Sequence, residues 1–195
     1  MTKLIIVMNG KGGCGKDTIC GVLANRFRAR NDSSVDPIRE VSRMLGWDGK
    51  TKDDKWRKFM SDVKRASIEY NDYPTTYIVS KVREFMNSDD EIFFTHIREP
   101  AEIAKFAARA AELAGGRADV RTLLVRRKSV DSREFGNVSD DMVDRYLYDW
   151  VYDNDGALEN IDSDFMKRFD AWRKADGIVK EGAARNRKTM PARVR

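Results

Sequence analysis

Cysteine is nearly absent from this chain: Cys14 and Cys20 are the only two in 195 residues. Thiols placed in this way suit a reducing compartment better than a disulfide frame. No apolar run approaches the ~18 residues that a membrane helix needs. The strand-like pattern starts at Lys3, which leaves no room for a cleaved leader. These absences predict a cytoplasmic protein without a membrane segment. Internal repeats are missing too, as is low-complexity sequence outside the C-terminus. Nor does one charge dominate, since 37 basic residues are interspersed with 32 acidic ones for a net +5. Nucleic acid is therefore not an expected partner. The one basic block, KEGAARNRKTMPARVR, could touch phosphates. At a polar terminus it reads instead as a solvated, disordered tail over residues 176–195.

What the chain does have is 41% hydrophobic and 35% charged residues, enough for one globular domain with a highly charged surface. KLIIVMN (Lys3–Asn9) is a short apolar run ending at Gly10, as a buried parallel strand requires. The spacing of Ile19, Val22, Leu23 and Phe27 predicts a helix from about Lys16 to Arg30. Asp36-Pro37 reads as an N-cap and first turn, opening a helix that turns Ile38, Val41 and Leu45 inward and stops at Gly46. A further helical pattern covers 53–71 through Trp56, Phe59, Met60, Val63 and Tyr70, and Pro74 opens another with Ile78, Val82 and Phe85. EIFFTHI (Glu91–Ile97) and DVRTLLVRR (Asp119–Arg127) are strands, separated by a helix from Pro100 to the Gly115-Gly116 stop. A short strand near Tyr148–Tyr152 precedes a last helix carrying Leu158, Ile161, Phe165, Phe169 and Trp172. Strands alternating with helices predict an α/β fold: a parallel sheet covered on both faces. Aromatic and methionine side chains at helical spacing are expected in its core.

Between the first strand and helix lies GKGGCGKDT, Gly10 to Thr18. Its G-x-x-x-x-G-K pattern arises by chance in about 5% of chains of this length. Seating it between a buried strand and a helix lowers that to under about 1%. In such a Walker A loop the backbone N–H groups from Gly12 to Thr18 curl around phosphate oxygens. Lys16 then reaches the outer phosphates. Asp17 occupies the place where a serine or threonine hydroxyl normally meets Mg²⁺. A carboxylate beside a triphosphate is repelled unless a cation lies between them, so Asp17 is a candidate metal ligand. The bland alternative is a helix-capping Asp17, with Thr18 supplying the hydroxyl.

The GKDT loop resembles that of phage and bacterial deoxynucleoside monophosphate kinases, and GKD is also seen in animal phosphomevalonate kinase. Both belong to the P-loop kinase superfamily, whose order of elements is matched over roughly residues 3–172. The resemblance implies a three-layer fold with a five-stranded parallel sheet in one domain, 1–175. It also implies a helical acceptor-binding region at about 37–90 and a lid at about 127–145. ATP and Mg²⁺ are the implied cofactors. The implied activity is transfer of the γ-phosphate to a (deoxy)nucleoside monophosphate or similar small phosphorylated acceptor, in nucleotide metabolism.

Site residues follow from the same resemblance. The nucleotide would be held by Gly10, Lys11, Gly12, Gly13, Cys14, Gly15, Lys16, Asp17 and Thr18, and by Asn154, Asp155 and Gly156 around the adenine. Asp17 and Thr18 would face the metal. The acceptor would meet Asp36, Arg39, Arg57 and Arg98, because an anion needs guanidinium forks. Lys16, Asp17, Arg98, Arg126 and Arg127 would act on the transferring group, with Arg133 on the lid. One departure stands out: His96 occupies the place of the aspartate that usually holds Mg²⁺ through water, unless Glu99 takes over that task.

Besides a kinase-derived binding protein that has lost its chemistry, which His96 suggests, two alternatives remain open in the sequence. Asp36 lies where dephospho-coenzyme A kinase and nucleoside kinases keep a catalytic acid residue, so a hydroxyl acceptor with Asp36 as base competes with its role as a helix cap. KGGCGK also resembles the KGGxGK loop of partitioning ATPases, where the first lysine, here Lys11, reaches a partner subunit's nucleotide. Against that, those proteins carry threonine at the Asp17 position and have aspartate switch motifs not found here.

Overall fold

The computed structural model describes residues 2–51, 53–131 and 142–177. The centre of the expected lid, Arg133 included, and nearly all of the basic tail lie outside them. The chain runs β1 (Lys3–Asn9), α1 (Lys16–Ala24), β2 (Ala29–Ser33), α2 (Asp36–Met44), α3 (Asp54–Asn71), α4 (Tyr73–Met86), β3 (Ile92–His96), α5 (Pro100–Ala114), β4 (Ala118–Arg126), α6 (Lys128–Asp131), β5 (Trp150–Asp153) and α7 (Ile161–Ala175). Among the described residues the strands form one five-stranded sheet, in the order β2-β3-β1-β4-β5. Every pairing is parallel. The three-layer α/β architecture expected from the sequence is present.

The run LIIVM explains the central position of β1. Side chains alternate across a strand, so a continuous apolar run can be buried only if both faces are covered. Leu4, Ile6 and Met8 pack with α1 and α7, among them Ile19, Leu23, Phe165 and Phe169. Ile5 and Val7 pack on the other face with Ile78, Val82 and Phe85 of α4 and Ile103 and Phe106 of α5. Trp150 of β5 stacks on Trp172 of α7, centroids 5.0 Å apart.

Three expectations need correction. The first helix stops at Ala24 instead of about Arg30, and residues 29–33 (ARNDS) form β2. This strand lies at the sheet edge and pairs only with β3, so it tolerates polar residues; Arg30 bonds there to Asp32 and Glu84. The second concerns α3, which has no fully buried residue. Trp56, Phe59, Met60 and Val63 are half-buried, and Tyr70 and Leu45 are exposed. This helix lies on the rim, held by α2 and α4 rather than by the sheet. Thirdly, Leu158 precedes the last helix in a short 3-10 turn and is exposed.

Topology decides where a ligand can sit. From β1 the chain crosses to β2 on one side, and from β4 it proceeds to β5 on the other. Connections that leave adjacent strands in opposite directions open a crevice at their carboxyl ends. The GKGGCGKDT loop stands at that edge.

Phe165→Ala, deep in the core, is expected to cost about 3–5 kcal/mol. Trp56→Ala, on half-buried α3, is expected to cost under about 2 kcal/mol. Denaturant unfolding of both variants checks this, and equal losses would make α3 part of the core.

Candidate functional site

The strand-to-helix turn is built around two glycines that nothing else can replace. Gly10 has φ 147°, and a Cβ on it would lie 2.3 Å from the Val125 carbonyl oxygen. Gly15 has φ 98°, and a Cβ there would lie 2.3 Å from Asn154 Nδ2. Gly15 is also the N-cap of α1 and offers no side chain to the first-turn N–H groups. A helix start without a cap leaves donors and the positive dipole end directed outward. Asp17 and Thr18 are exposed on that first turn. Lys16 Nζ folds back onto the carbonyls of Gly10 and Lys11, within 3.6 Å of Cys14 Sγ.

Two buried asparagines brace the turn. Asn9 Oδ1 accepts from Gly10 N–H at 2.8 Å, while its Nδ2 donates to the Arg98 carbonyl at 3.0 Å and to Tyr148 Oη at 2.7 Å. The Tyr148 hydroxyl donates onward to the Val143 carbonyl at 2.8 Å. Burial pushes that phenol far above its ordinary pKa, so it stays protonated and able to donate. Asn154 packs under the loop from the β5 side, with Nδ2 donating to the Cys14 carbonyl at 2.8 Å. Asn9 escaped the sequence reading, because a polar residue at the end of an apolar strand looks like the start of a turn. Its direct precedence to Gly10 was the available signal.

The other expected residues gather unevenly. His96 ends β3, in register with Met8 of β1 and Ser33 of β2. Its Nε2 lies 3.1 Å from Asn31 Oδ1 and 3.8 Å from Cys20 Sγ. Burial lowers its pKa to about 4, against an opposing pull from Asp17. The imidazole is therefore neutral near pH 7. Burial, reinforced by Asp17, raises the Cys20 thiol to about 12, and burial also raises Cys14. Both cysteines are free and buried.

At the end of β2, Asp36 is not the cap of α2. Val35 holds that place, and Asp36 is the first helical residue. Its carboxylate accepts from Ser33 N–H at 2.8 Å and from Arg39 at 2.7 Å, so it ties the end of β2 to α2. Arg98 is half-buried after β3. Lys64 of α3 reaches Glu99 at 2.6 Å, and this pair, rather than Arg57, joins α3 to the end of β3. Arg57 stands on the same helix two turns earlier, exposed, 3.9 Å from Asp54. Arg126 lies against Asp153 at 2.9 Å, and Arg127 is half-buried behind it. In the NDG stretch, Asp155 accepts from Lys128 N–H at 2.8 Å, which holds its carboxyl below the usual range. Gly156 stands in open space.

The residues fit a polyphosphate with a hard cation. An uncapped helix start and a glycine-rich turn make room for anionic oxygens. Among the described residues no three His, Cys, Asp or Glu side chains converge on one point. Mg²⁺ does not need such a cage, since one or two carboxylates plus substrate phosphates and water suffice. Asp17 and Thr18, exposed on the first turn of α1, are the side chains that could supply the protein's share.

No family model and no curated protein matches this chain. Solved structures overlap with it. A proposed kinase from Chloroflexus aurantiacus is 12% identical, with a TM-score of 0.48 over 87% of this chain and 97% of that one. A sugar kinase from a Janibacter species is 14% identical, TM-score 0.47, over 87% and 95%. The APS kinase of Mycobacterium tuberculosis is 11% identical, TM-score 0.38, over 87% and 98%. At such identities the overlap concerns the course of the backbone alone.

His96 carries a pH signature. Its folded pKa of about 4 lies below the ordinary 6.5. Between those values the unfolded chain binds a proton that the folded chain refuses, so stability falls as pH drops through this window. The loss from this group between pH 7 and pH 5 is expected to be about 2 kcal/mol. His96→Gln should remove it, as denaturant unfolding at the two pH values would show. Equal losses in both proteins would mean a solvated imidazole.

Proposed function

We propose that this protein transfers the γ-phosphate of ATP, with Mg²⁺, to a small phosphorylated acceptor, a (deoxy)nucleoside monophosphate foremost. The observation that carries this reading is the uncapped start of α1, behind a turn whose Gly10 and Gly15 admit no side chain, at the carboxyl edge of a parallel sheet. The amides from Gly12 to Thr18 would bind the phosphate oxygens. Lys16 would exchange the carbonyls of Gly10 and Lys11 for the outer phosphates. Bound Mg²⁺ would supply charge neutralisation there, held by Asp17 and Thr18. Arg98, Arg126 and Arg127 would offset the charge that moves between donor and acceptor.

The contacts of Asp36 support a phosphate acceptor over a hydroxyl one. A phosphate acceptor has a second pKa of about 6 and is already ionised at neutral pH. It needs cations and positioning. A hydroxyl acceptor needs a carboxylate aimed at it. Both oxygens of Asp36 already accept hydrogen bonds from Ser33 N–H and Arg39, the pattern of an anchor rather than of a base. Arg39, Arg98 and, from α3, Arg57 and Lys64 supply positive charge on that side.

The test is ADP release from Mg·ATP with a panel of ribo- and deoxynucleoside monophosphates, phosphomevalonate and dephospho-coenzyme A. Turnover with at least one monophosphate is expected. Lys16→Ala should lower it about 10²–10³-fold. Asp17→Ala should weaken Mg²⁺-dependent turnover about 10–100-fold while leaving metal-free ATP binding nearly unchanged. A collapse on Asp36→Asn would transfer the reading to a hydroxyl acceptor. ATP-dependent dimerisation without transfer to any acceptor would refute it.

A further inference from the structure

We infer that Asn154 is a positioning residue for the phosphate loop: it sets the loop's shape from behind and does not touch the nucleotide base. The inference rests on the reading of Gly10–Thr18 as a polyphosphate site. It departs from the expectation that Asn154, Asp155 and Gly156 surround an adenine ring.

Three contacts define the role. The Asn154 backbone N–H donates to the Arg126 carbonyl at 2.8 Å, extending the pairing of β5 with β4 by one residue. Its side-chain Nδ2 donates to the Cys14 carbonyl at 2.8 Å, joining residues 140 apart in sequence. The same amide abuts Gly15, whose Cβ, if present, would stand 2.3 Å from Nδ2 and 3.6 Å from Cγ. One side chain therefore touches the loop just before α1 begins and is itself fixed to the ends of two strands.

Burial separates this from a base contact. Asn154 is 1% exposed. Its amide orientation is settled by the acceptor it faces, since the opposite assignment would set two carbonyl oxygens against each other. The remaining oxygen, Oδ1, is buried and has no hydrogen-bond partner among the described residues. A buried unpaired acceptor is unfavourable, so the residue is not there to satisfy its own polarity. What it contributes is the NH₂ group, at a length that reaches Cys14. Aspartate has the shape without the donor, serine is too short, and glutamine would run into the Gly15 backbone. Asn9 makes a useful contrast: its oxygen and its nitrogen are both engaged, one on Gly10 and the other on Arg98 and Tyr148.

Since Asp155, next in sequence, holds the start of α6 through Lys128 N–H, the tripeptide fixes the phosphate loop on one side and the entry to the lid region on the other. Its two side chains act on protein backbone.

Hydrogen exchange on the ligand-free protein, with calorimetry of Mg·ATP and Mg·tripolyphosphate binding, tests this on Asn154→Ala and on the isosteric Asn154→Asp. Exchange in residues 10–18 is expected to rise about tenfold, the weight of one buried hydrogen bond, while β1 and β3 keep wild-type rates. Both ligands should weaken by the same factor in Asn154→Ala, because tripolyphosphate has no base to lose. Weakening of ATP alone would assign Asn154 to the base and overturn the inference. Unchanged exchange, or exchange raised throughout the sheet, would overturn it equally. If Asn154→Ala does not fold, local exchange in Asn154→Asp decides. If the wild type binds neither ligand, the proposed function fails, and exchange alone still decides what Asn154 does to the loop.

Discussion

Everything at the carboxyl edge of the sheet depends on how closely the turn after β1 approaches its neighbours. The turn passes so near the end of β4 that the Val125 carbonyl occupies the space of a Cβ on Gly10. It passes so near the loop after β5 that Asn154 does the same at Gly15. At Gly10 and Gly15 only backbone fits between these walls. A turn made of backbone presents N–H groups, and N–H groups at the start of a helix select anions. The affinity proposed for polyphosphate is thus a consequence of packing, with glycine as the means.

That closeness has to be stabilised, and apolar contacts cannot do it, because they have no direction. The sheet interior is almost wholly apolar, with Ile5, Ile6, Val7, Phe93 and Leu123 fully buried. Thr95 and Thr122 are buried within strands, and at the carboxyl edge stand the buried Asn9 and Asn154 with the Tyr148 hydroxyl beside them. Buried hydrogen bonds in a low-dielectric setting fix geometry sharply, and a missing partner is costly. Asn9 and Asn154 hold opposite ends of one turn, so a shift at either end would leave buried polar groups unpaired.

The sequence makes some of this plain and hides the rest for definite reasons. β1 was legible to the residue, since a run buried on both faces has no alternative reading and Gly10 ends it. The loop was legible because glycine, lysine and helix start must occur in fixed order. β2 was not: an edge strand of sequence ARNDS has no apolar pattern, and Phe27 just before it continues the helical spacing of α1 while packing on Phe169. The half-burial of α3 was hidden as well, because periodicity reports which side of a helix is apolar and not how deep that side lies. Asp36 was placed correctly at the helix start and misread as its cap. The difference is one residue and depends on backbone angles at Val35. Asn9 and Asn154 were the hardest, since their partners, Arg98, Tyr148 and Cys14, are remote in sequence.

The pairing of Asp17 with His96 follows the same logic of distance and burial. The resemblance to P-loop kinases implies an aspartate at the end of the third strand, and here an imidazole stands there. A charged imidazolium would add a cation beside Lys16, Arg39 and Arg98, the groups that already oppose its protonation together with burial. Burial is the largest of these effects, and the proton stays off. Asp17 then carries the negative charge on the helix side, exposed, where water and a cation can reach it. A second carboxylate at His96 would repel it in a partly dry space. With the imidazole neutral, Asp17 is the ionisable group that pulls against its neutrality, and the carboxylate proposed for the cation stands on the helix instead of the strand. The 3.1 Å contact between His96 Nε2 and Asn31 Oδ1 links that ring to β2, adding a side-chain tie between the edge strand and β3.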